Sequence, residues 1–403
     1  MTEYDLFSYR FKADPFSTFA RMRQDAPIYR HDAPNGLTIW YVTRYDEVVE
    51  VLKDNDHFCK NLQNALPPNE SAHVFTAGRN VLQLINQNML FADPPDHTRL
   101  RGLISQAFTP RRVAAMAGKI KDTANELLDA VWEQGEMELL EAYALPLPFA
   151  VITDLLGIPR RDRERVKRYS QAIIAPGSRG ISVGERKRRI RAFVEYISAL
   201  FQRRRDIPED DLLTALVEAE EAGDRLSEEE LSSMVMLLLV TGYETTVNLI
   251  GNGVYTLLRH PEAMALLREM PALMPQAIEE MLRYEGPVET STTRWARKDF
   301  TLRGQQICRG DLVRVVISSA NRDPAQFEQP DRFDIHREEN AHLAFGLGIH
   351  YCLGAPLARL EGEIALNLLL ERCQDLRLAV PASELQWRSG VLFHGLKKLP
   401  VRW

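Results

Sequence analysis

Cysteine is scarce. The 403 residues hold four, Cys59, Cys308, Cys352 and Cys373, and none forms a Cys-x-x-Cys pair. That excludes a structural zinc site of the usual spacing and any iron–sulfur ligand run. The count is even, but the chain is long and opens without a signal segment, so a disulfide framework is not expected. The N-terminal MTEYDLFSYRFKADPF has early acids and no apolar core of signal-peptide length. The longest aliphatic run, Met234–Val240, is far too short to cross a bilayer. These absences predict a cytoplasmic protein without a membrane span. Positive charge is also in short supply. Lys and Arg number 50 against 56 Asp and Glu, a net charge of -6, which excludes a general nucleic-acid binder. No Gly-x-Gly-x-x-Gly follows a strand, so there is no dinucleotide fingerprint. Repeats, low-complexity tracts and linkers are lacking too. What remains is an ordinary globular composition, 45% apolar and 26% charged, read as one domain over residues 1–403.

The hydrophobic pattern predicts a mainly α fold with a smaller β-rich part (α+β). TIWYVTRYDEVVEVLKD reads as a strand over Thr38–Val42 followed by a helix, and residues 61–88 as a long polar loop. DHTRLRGLISQAF, PRRVAAMAGKIKDTANELLDAVWE and ERKRRIRAFVEYISALFQRRR repeat apolar residues at helical spacing. APGSRGISVG, residues 175–184, separates two of these helices. Ser227-Glu228-Glu229-Glu230 is a capping box. The helix it opens runs about 30 residues, roughly 45 Å, long enough to cross the whole molecule. STTRWA, FTLRG and LVRVVISSA read as strands, and a last long helix spans about 353–373. The helix-rich core thus covers about 95–285 and 353–373. The β-rich parts lie near the N-terminus, at 286–337 and at the C-terminus.

One short segment carries chemistry: Phe345-Gly346-Leu347-Gly348-Ile349-His350-Tyr351-Cys352-Leu353-Gly354. Its glycines permit a tight loop with positive φ. A helix starts just after Cys352, so free N–H groups and the positive helix end face the sulfur. Such surroundings favour a thiolate. On haem iron, a thiolate pushes electron density towards bound oxygen.

This segment resembles the haem-binding loop of cytochromes P-450 at every defined position. The resemblance extends over nearly the whole chain, because other motifs follow in family order. It implies the cytochrome P-450 fold, with a long central helix over a buried haem b. Cys352 is then the axial ligand of the haem iron, with Phe345 and Gly346 in the binding loop. His97 and Arg101, at i and i+4, are implied propionate partners. Arg294, in Thr293-Arg294-Trp295-Ala296, and His350 match further propionate donors. Glu280 and Arg283 form the family's Glu-x-x-Arg pair, joined by Arg332 of Pro330-Asp331-Arg332-Phe333 in a structural cluster.

Thr241-Gly242-Tyr243-Glu244-Thr245-Thr246 falls mid-helix, where glycine costs about 1 kcal/mol against alanine. In the family this acid–alcohol pair widens the helix and makes room for oxygen. The resemblance implies that Thr245 hydrogen-bonds above the iron and that Glu244 relays protons from solvent. Thr241 departs from the usual alanine or glycine before Gly242, and is expected to face the pocket. The pocket outline adds Leu84, Ile85 and Met89 in a lid, Leu237 and Val240 on the helix, and Val288, Thr290, Leu392 and Phe393 on the far wall.

The implied activity is hydroxylation or epoxidation of a largely hydrophobic small molecule with O2 and two electrons. The segments PDHTRLR, QAFTPRR and HYCLGAPLARLEG bring the resemblance nearest to bacterial hydroxylases of macrolides and other polyketides. Fatty-acid, terpenoid and steroid hydroxylases are the alternatives within the family. With no flavin or iron–sulfur domain visible, the electrons come from a separate ferredoxin and reductase, or a flavodoxin-type donor. Arg99, Arg111 and Arg359 are docking candidates, and a monomer is expected. Outside the monooxygenase class, a peroxide-driven peroxygenase and a non-enzymatic haem-binding protein are the rivals. The Glu244–Thr245 pair argues against both.

Overall fold

The structure, a computed structural model, describes residues 3–66, 86–174, 182–221 and 224–403. Leu84 and Ile85 therefore lie outside the described residues. Two compact units are distinguished: residues 1–59, 117–147 and 245–403 form one, and residues 60–116 and 148–244 the other.

The first unit holds the main sheet. Its strand order is Ile28–Asp32, Thr38–Val42, Leu312–Val315, Arg294–Ala296, Phe58–Cys59. The first pair is antiparallel, with Ile28 opposite Val42. Leu312–Val315 then runs parallel to Thr38–Val42 and antiparallel to Arg294–Ala296, which sets Val313 opposite Arg294. One face of this sheet buries Trp40, Val42, Phe58, Ala296, Val313 and Val315 against Val48, Val51 and Leu52 of the helix Tyr45–Lys53. Each fully buried aliphatic side chain here contributes roughly 1.5–3 kcal/mol. A three-stranded sheet pairs Pro400–Arg402 with Arg377–Leu378 and Glu136–Glu138. The strand read from LVRVVISSA ends early. Ile317–Ala320 is a helical turn, because Asn321 and Ala320 N–H turn back to Ile317 and Val316 carbonyls.

The second unit is built from helices: Asp96–Ala107, Pro110–Ala114, Arg163–Ile174, Val183–Asp206 and Leu212–Glu218. Buried Arg204 ties their ends together. It donates to Asp211 at 2.6 Å and to the Gly157 carbonyl at 3.1 Å, while Asp211 caps the Leu212–Glu218 helix through Thr214 N–H.

The long helix spans Glu228–Arg259, 32 residues without a break. Its capping box forms as the spacing predicts: Glu230 N–H donates to Ser227 Oγ at 3.2 Å and Ser227 N–H to Glu230 Oε2 at 2.8 Å. By length and apolarity this helix could cross a membrane, but 72% of its most apolar stretch is buried in the protein, so it reads as a core helix. The helix runs as continuous α-helix, without the local widening that the family resemblance implies. Gly242 has a packing reason instead: a Cβ there would stand 3.0 Å from Ile152 Cδ1, on the helix Pro146–Leu155.

Candidate active site

The cysteine loop lies in the first unit. Gly346 and Gly348 adopt φ of +70° and +76°. Gly348 is also crowded, since a Cβ there would meet the Leu52 carbonyl oxygen at 2.8 Å. Only glycine satisfies both demands, and the loop is thereby seated on the Tyr45–Lys53 helix. Cys352 N–H donates to the Phe345 carbonyl at 2.9 Å, closing the loop around the cysteine. The helix Ala355–Arg372 begins three residues later with Gly354 as N-cap. The Cys352 Sγ lies 3.9 Å from where a Gly354 Cβ would stand, at the positive end of that helix. Cys352 is exposed, and His350 ends the short turn Gly348–His350 two residues before it.

A second layer clamps the loop, and the sequence did not reveal it. Arg359 donates to both carboxylate oxygens of Glu279 at 2.7 Å, and its guanidinium lies 4.5 Å from the Phe345 ring centroid. His342 adds a contact to Glu279 at 3.1 Å. Arg359 is thus held in an ion pair, with its side chain still partly exposed. Arg99 is likewise engaged by Glu230 and by Asp224, whereas Arg111 is exposed. Burial alone would raise Glu279, but the hydrogen bonds and charges of Arg359 and His342 outweigh it and hold its carboxyl at about 2. A depressed carboxyl stabilises the fold above its unfolded value, near 4.5, and that stabilisation is lost as pH falls towards about 2. Thermal melts across that window are expected to fall less steeply for Glu279→Gln than for the parent protein; identical slopes would remove the clamp.

Glu280 and Arg283 form the predicted pair, almost wholly buried, with two contacts of 2.7 Å. The third member differs from expectation. Arg332 supplies only its carbonyl, which accepts from Arg283 at 3.0 Å, while its side chain is exposed. Arg337 reaches Glu280 instead, at 3.2 Å, with Asn340 also at 3.2 Å. Arg283 further donates to the carbonyls of Asn321 and Pro330. The motif arginine thus shapes the cluster through its backbone, and a neighbour five residues on provides the charge.

Arg294 lies in the main sheet, 5% exposed. Burial pushes its guanidinium down to about 10, and its Nη1 is buried without a hydrogen-bond partner among the described residues. A buried uncompensated cation is costly. An anionic group such as a haem propionate fits that need. In the second unit, His97 and Arg101 share one face of the Asp96–Ala107 helix. His97 is buried, and burial together with the Arg101 charge lowers its pKa. A neutral donor beside a fixed cation also suits a carboxylate.

Along the long helix most side chains are buried, but Leu237, Val240 and Thr245 are half-buried and Thr241 is exposed. Those positions share one face, leaving an open stripe on a core helix. Thr241 donates its hydroxyl to the Leu237 carbonyl at 2.7 Å, so in this structure that group turns back onto its own helix. Glu244 is 4% exposed, one residue before Thr245. Tyr243 steadies this turn through Ser170 at 3.1 Å and an edge contact with Phe149. Of the remaining residues expected at the pocket, Met89 is buried in the second unit. In the first, Val288 bridges to Phe393, and buried Thr290 donates to the Val391 carbonyl at 2.7 Å.

Comparison with known proteins agrees with this geometry. The family described as Cytochrome P450 matches residues 181–383. The polyketide biosynthesis cytochrome P450 PksS of Bacillus subtilis is 43% identical over 396 residues, covering 97% of this chain and 96% of that protein. The cytochrome P450 monooxygenase PikC of Streptomyces venezuelae is also 43% identical over 396 residues, covering 98% and 92%. The solved structure of PksS superposes with a TM-score of 0.92 at 41% identity, covering 99% of each chain. Cytochromes P450 carry haem b, act on small molecules with O2 and take electrons from partner proteins. The chain has the cytochrome P450 fold and belongs to this family of haem monooxygenases.

Proposed function

We propose that this enzyme hydroxylates or epoxidises a largely hydrophobic small molecule of the polyketide or macrolide kind, in the cytoplasm, as a monomer served by a separate ferredoxin and reductase. The reaction consumes O2, two electrons and two protons, places one oxygen atom in the substrate and releases the other as water. Haem b, when bound, supplies the oxygen activation.

The chain's own residues do the rest. Cys352 provides the thiolate ligand from a loop fixed by Gly346, Gly348 and the Phe345 carbonyl. His97, Arg101, Arg294 and His350 hold the propionates. Glu244 and Thr245 carry protons inward, Glu244 from solvent and Thr245 by its hydroxyl. Leu237, Val240, Thr241, Met89, Val288, Thr290, Leu392 and Phe393 shape the substrate wall, and their mostly apolar character suits an apolar ligand. The observation that carries the reading is the open stripe at Leu237, Val240, Thr241 and Thr245 on a helix otherwise buried, with Glu244 beside it. The relatives' roles in polyketide metabolism support the substrate class.

Turnover tests it. With ferredoxin, reductase and NADPH, a panel of macrolactones is expected to yield products heavier by one oxygen atom. Products from fatty acids or steroids alone would reassign the substrate. Turnover with hydrogen peroxide and no reductant, unaffected by Thr245→Ala, would favour a peroxygenase.

A further inference from the structure

The hairpin from Gln386 to Lys397 carries Leu392 and Phe393 at its turn. It closes through an antiparallel bridge between Trp387 and Leu396, with Arg388 N–H donating to the Gly395 carbonyl at 2.8 Å. Backbone bonds tie the turn to the segment after the Glu280–Arg283 helix. Glu289 N–H donates to the Leu392 carbonyl at 2.9 Å, and His394 N–H to the Pro287 carbonyl at 3.0 Å. Any sequence could make those bonds. The specific tie is the side chain of His394.

His394 Nε2 lies 2.5 Å from Glu285 Oε1, and both side chains are nearly fully buried. The ring is stacked on Trp387, with centroids 4.1 Å apart and planes 14° from parallel, so it has one orientation. Asn252, on the long helix, donates to the carbonyls of both Glu285 and His394 at 3.0 Å. Arg322 stands 3.7 Å from the other Glu285 oxygen, with its guanidinium between the rings of Phe16 and Tyr284. Burial raises the Glu285 carboxyl, but the His394 hydrogen bond and the charges of His394, Arg322 and Arg259 bring it below its ordinary value. Behind the pair lies a cavity of about 600 Å³, bordered by Phe16, Tyr255, Arg259, Tyr284, Asp331 and Trp387. On that side the hairpin has only edge contacts, Phe16 to His394 and Tyr255 to Trp387, beside the polar pair.

We propose that Glu285 and His394 are a positioning pair for substrate recognition, fixing the hairpin so that Leu392 and Phe393 present a firm wall to a bulky ligand. This rests on the placement of Leu392 and Phe393 at the substrate wall. Neither member of the pair touches the ligand. His394 acts through its chain neighbour Phe393, and Glu285 acts through His394. When the side-chain tie is cut, the turn can shift towards the cavity while the iron ligand and the oxygen side stay as they are.

The test uses the ferric holoenzyme and two azoles that bind haem iron through the same nitrogen. Imidazole is too small to reach the hairpin, whereas econazole fills the pocket with aromatic bulk. Their Kd values are read from the Soret shift. His394→Phe keeps the stack on Trp387 but removes the contact to Glu285. It is expected to weaken econazole about tenfold while leaving imidazole within about twofold. Glu285→Gln, whose amide still accepts a hydrogen bond from His394, is expected to cost econazole no more than about threefold. Trp387→Leu, which leaves the pair but frees the ring, serves as the second probe if His394→Phe fails to retain haem, and is expected to weaken econazole selectively. Equal weakening of both azoles, or of neither, overturns the proposal. The reduced carbon monoxide spectrum separates the two levels of inference. Absence of a red-shifted band in the parent enzyme overturns the proposed function. An intact band with an unchanged econazole-to-imidazole ratio overturns only the positioning role.

Discussion

Arg283→Ala is expected to destabilise the fold by about 3–5 kcal/mol, the range for removing one partner of a buried ion pair. The side chain is fully buried, and it donates to Glu280 and to the carbonyls of Asn321, Pro330 and Arg332. Alanine leaves the buried Asn321 carbonyl, the half-buried bonds to Pro330 and Arg332, and part of a carboxylate to find new donors. Arg337 and Asn340 still reach Glu280, and Arg337 also makes a long contact of 3.5 Å to the Arg332 carbonyl, but the carbonyls of Asn321 and Pro330 lose their arginine donor. A loss of that size is a large share of the roughly 5–15 kcal/mol that holds a typical domain together. Haem retention should fall with it, because the same cluster anchors the chain leading to the cysteine loop: Leu343 N–H donates to Asn321 Oδ1 at 2.7 Å. Arg332→Ala is the discriminating control. Its side chain is exposed and only its carbonyl is used, so the change should stay within about 0.5 kcal/mol. Urea denaturation of the two variants checks both statements, and equal damage would restore Arg332 to the charge cluster.

Thr245→Ala and Glu244→Gln are expected to uncouple electron use from product formation. Proton delivery by a positioned group contributes typically about 10²–10⁴-fold to a rate. Without it, O2, two electrons and two protons leave as hydrogen peroxide instead of oxidised substrate and water. Product formed per NADPH should fall about tenfold or more, peroxide should rise to match, and NADPH consumption should change far less. Glu244 is buried and Thr245 half-buried on the same helical turn, so a path inward along that turn is physically short. Quantifying product, peroxide and NADPH in one assay decides it. Unchanged coupling in both variants would remove the pair from the mechanism.

Much of this was legible in the sequence because local chemistry dictated it. The capping box at Ser227 and the glycine pair before Cys352 each prescribe their own geometry over a few residues, and both form. Through-space partners were not legible. Pro330-Asp331-Arg332-Phe333 names an arginine, yet the second positive charge on Glu280, after Arg283, comes from Arg337, because the turn at Gln329–Arg332 directs the Arg332 carbonyl inward and its side chain outward. Glu279–Arg359 and Glu285–His394 are separated by 80 and 109 residues, and no periodicity links such distant positions. Ile317–Ala320 looked like strand because β-branched residues and serines suit either state, and a helical turn after Val316 decided it. Gly242 carried a signal that something was required at mid-helix, but only packing revealed Ile152 as the neighbour that demands it.

The proposed ligand of the haem iron is the Cys352 thiolate. The most direct measurement is the absorption spectrum of the reduced, haem-loaded protein under carbon monoxide, alongside Cys352→Ala. A strongly red-shifted Soret band is expected in the parent protein, with its complete loss in the variant. A band retained in Cys352→Ala, or one at the unshifted position in the parent, would contradict it.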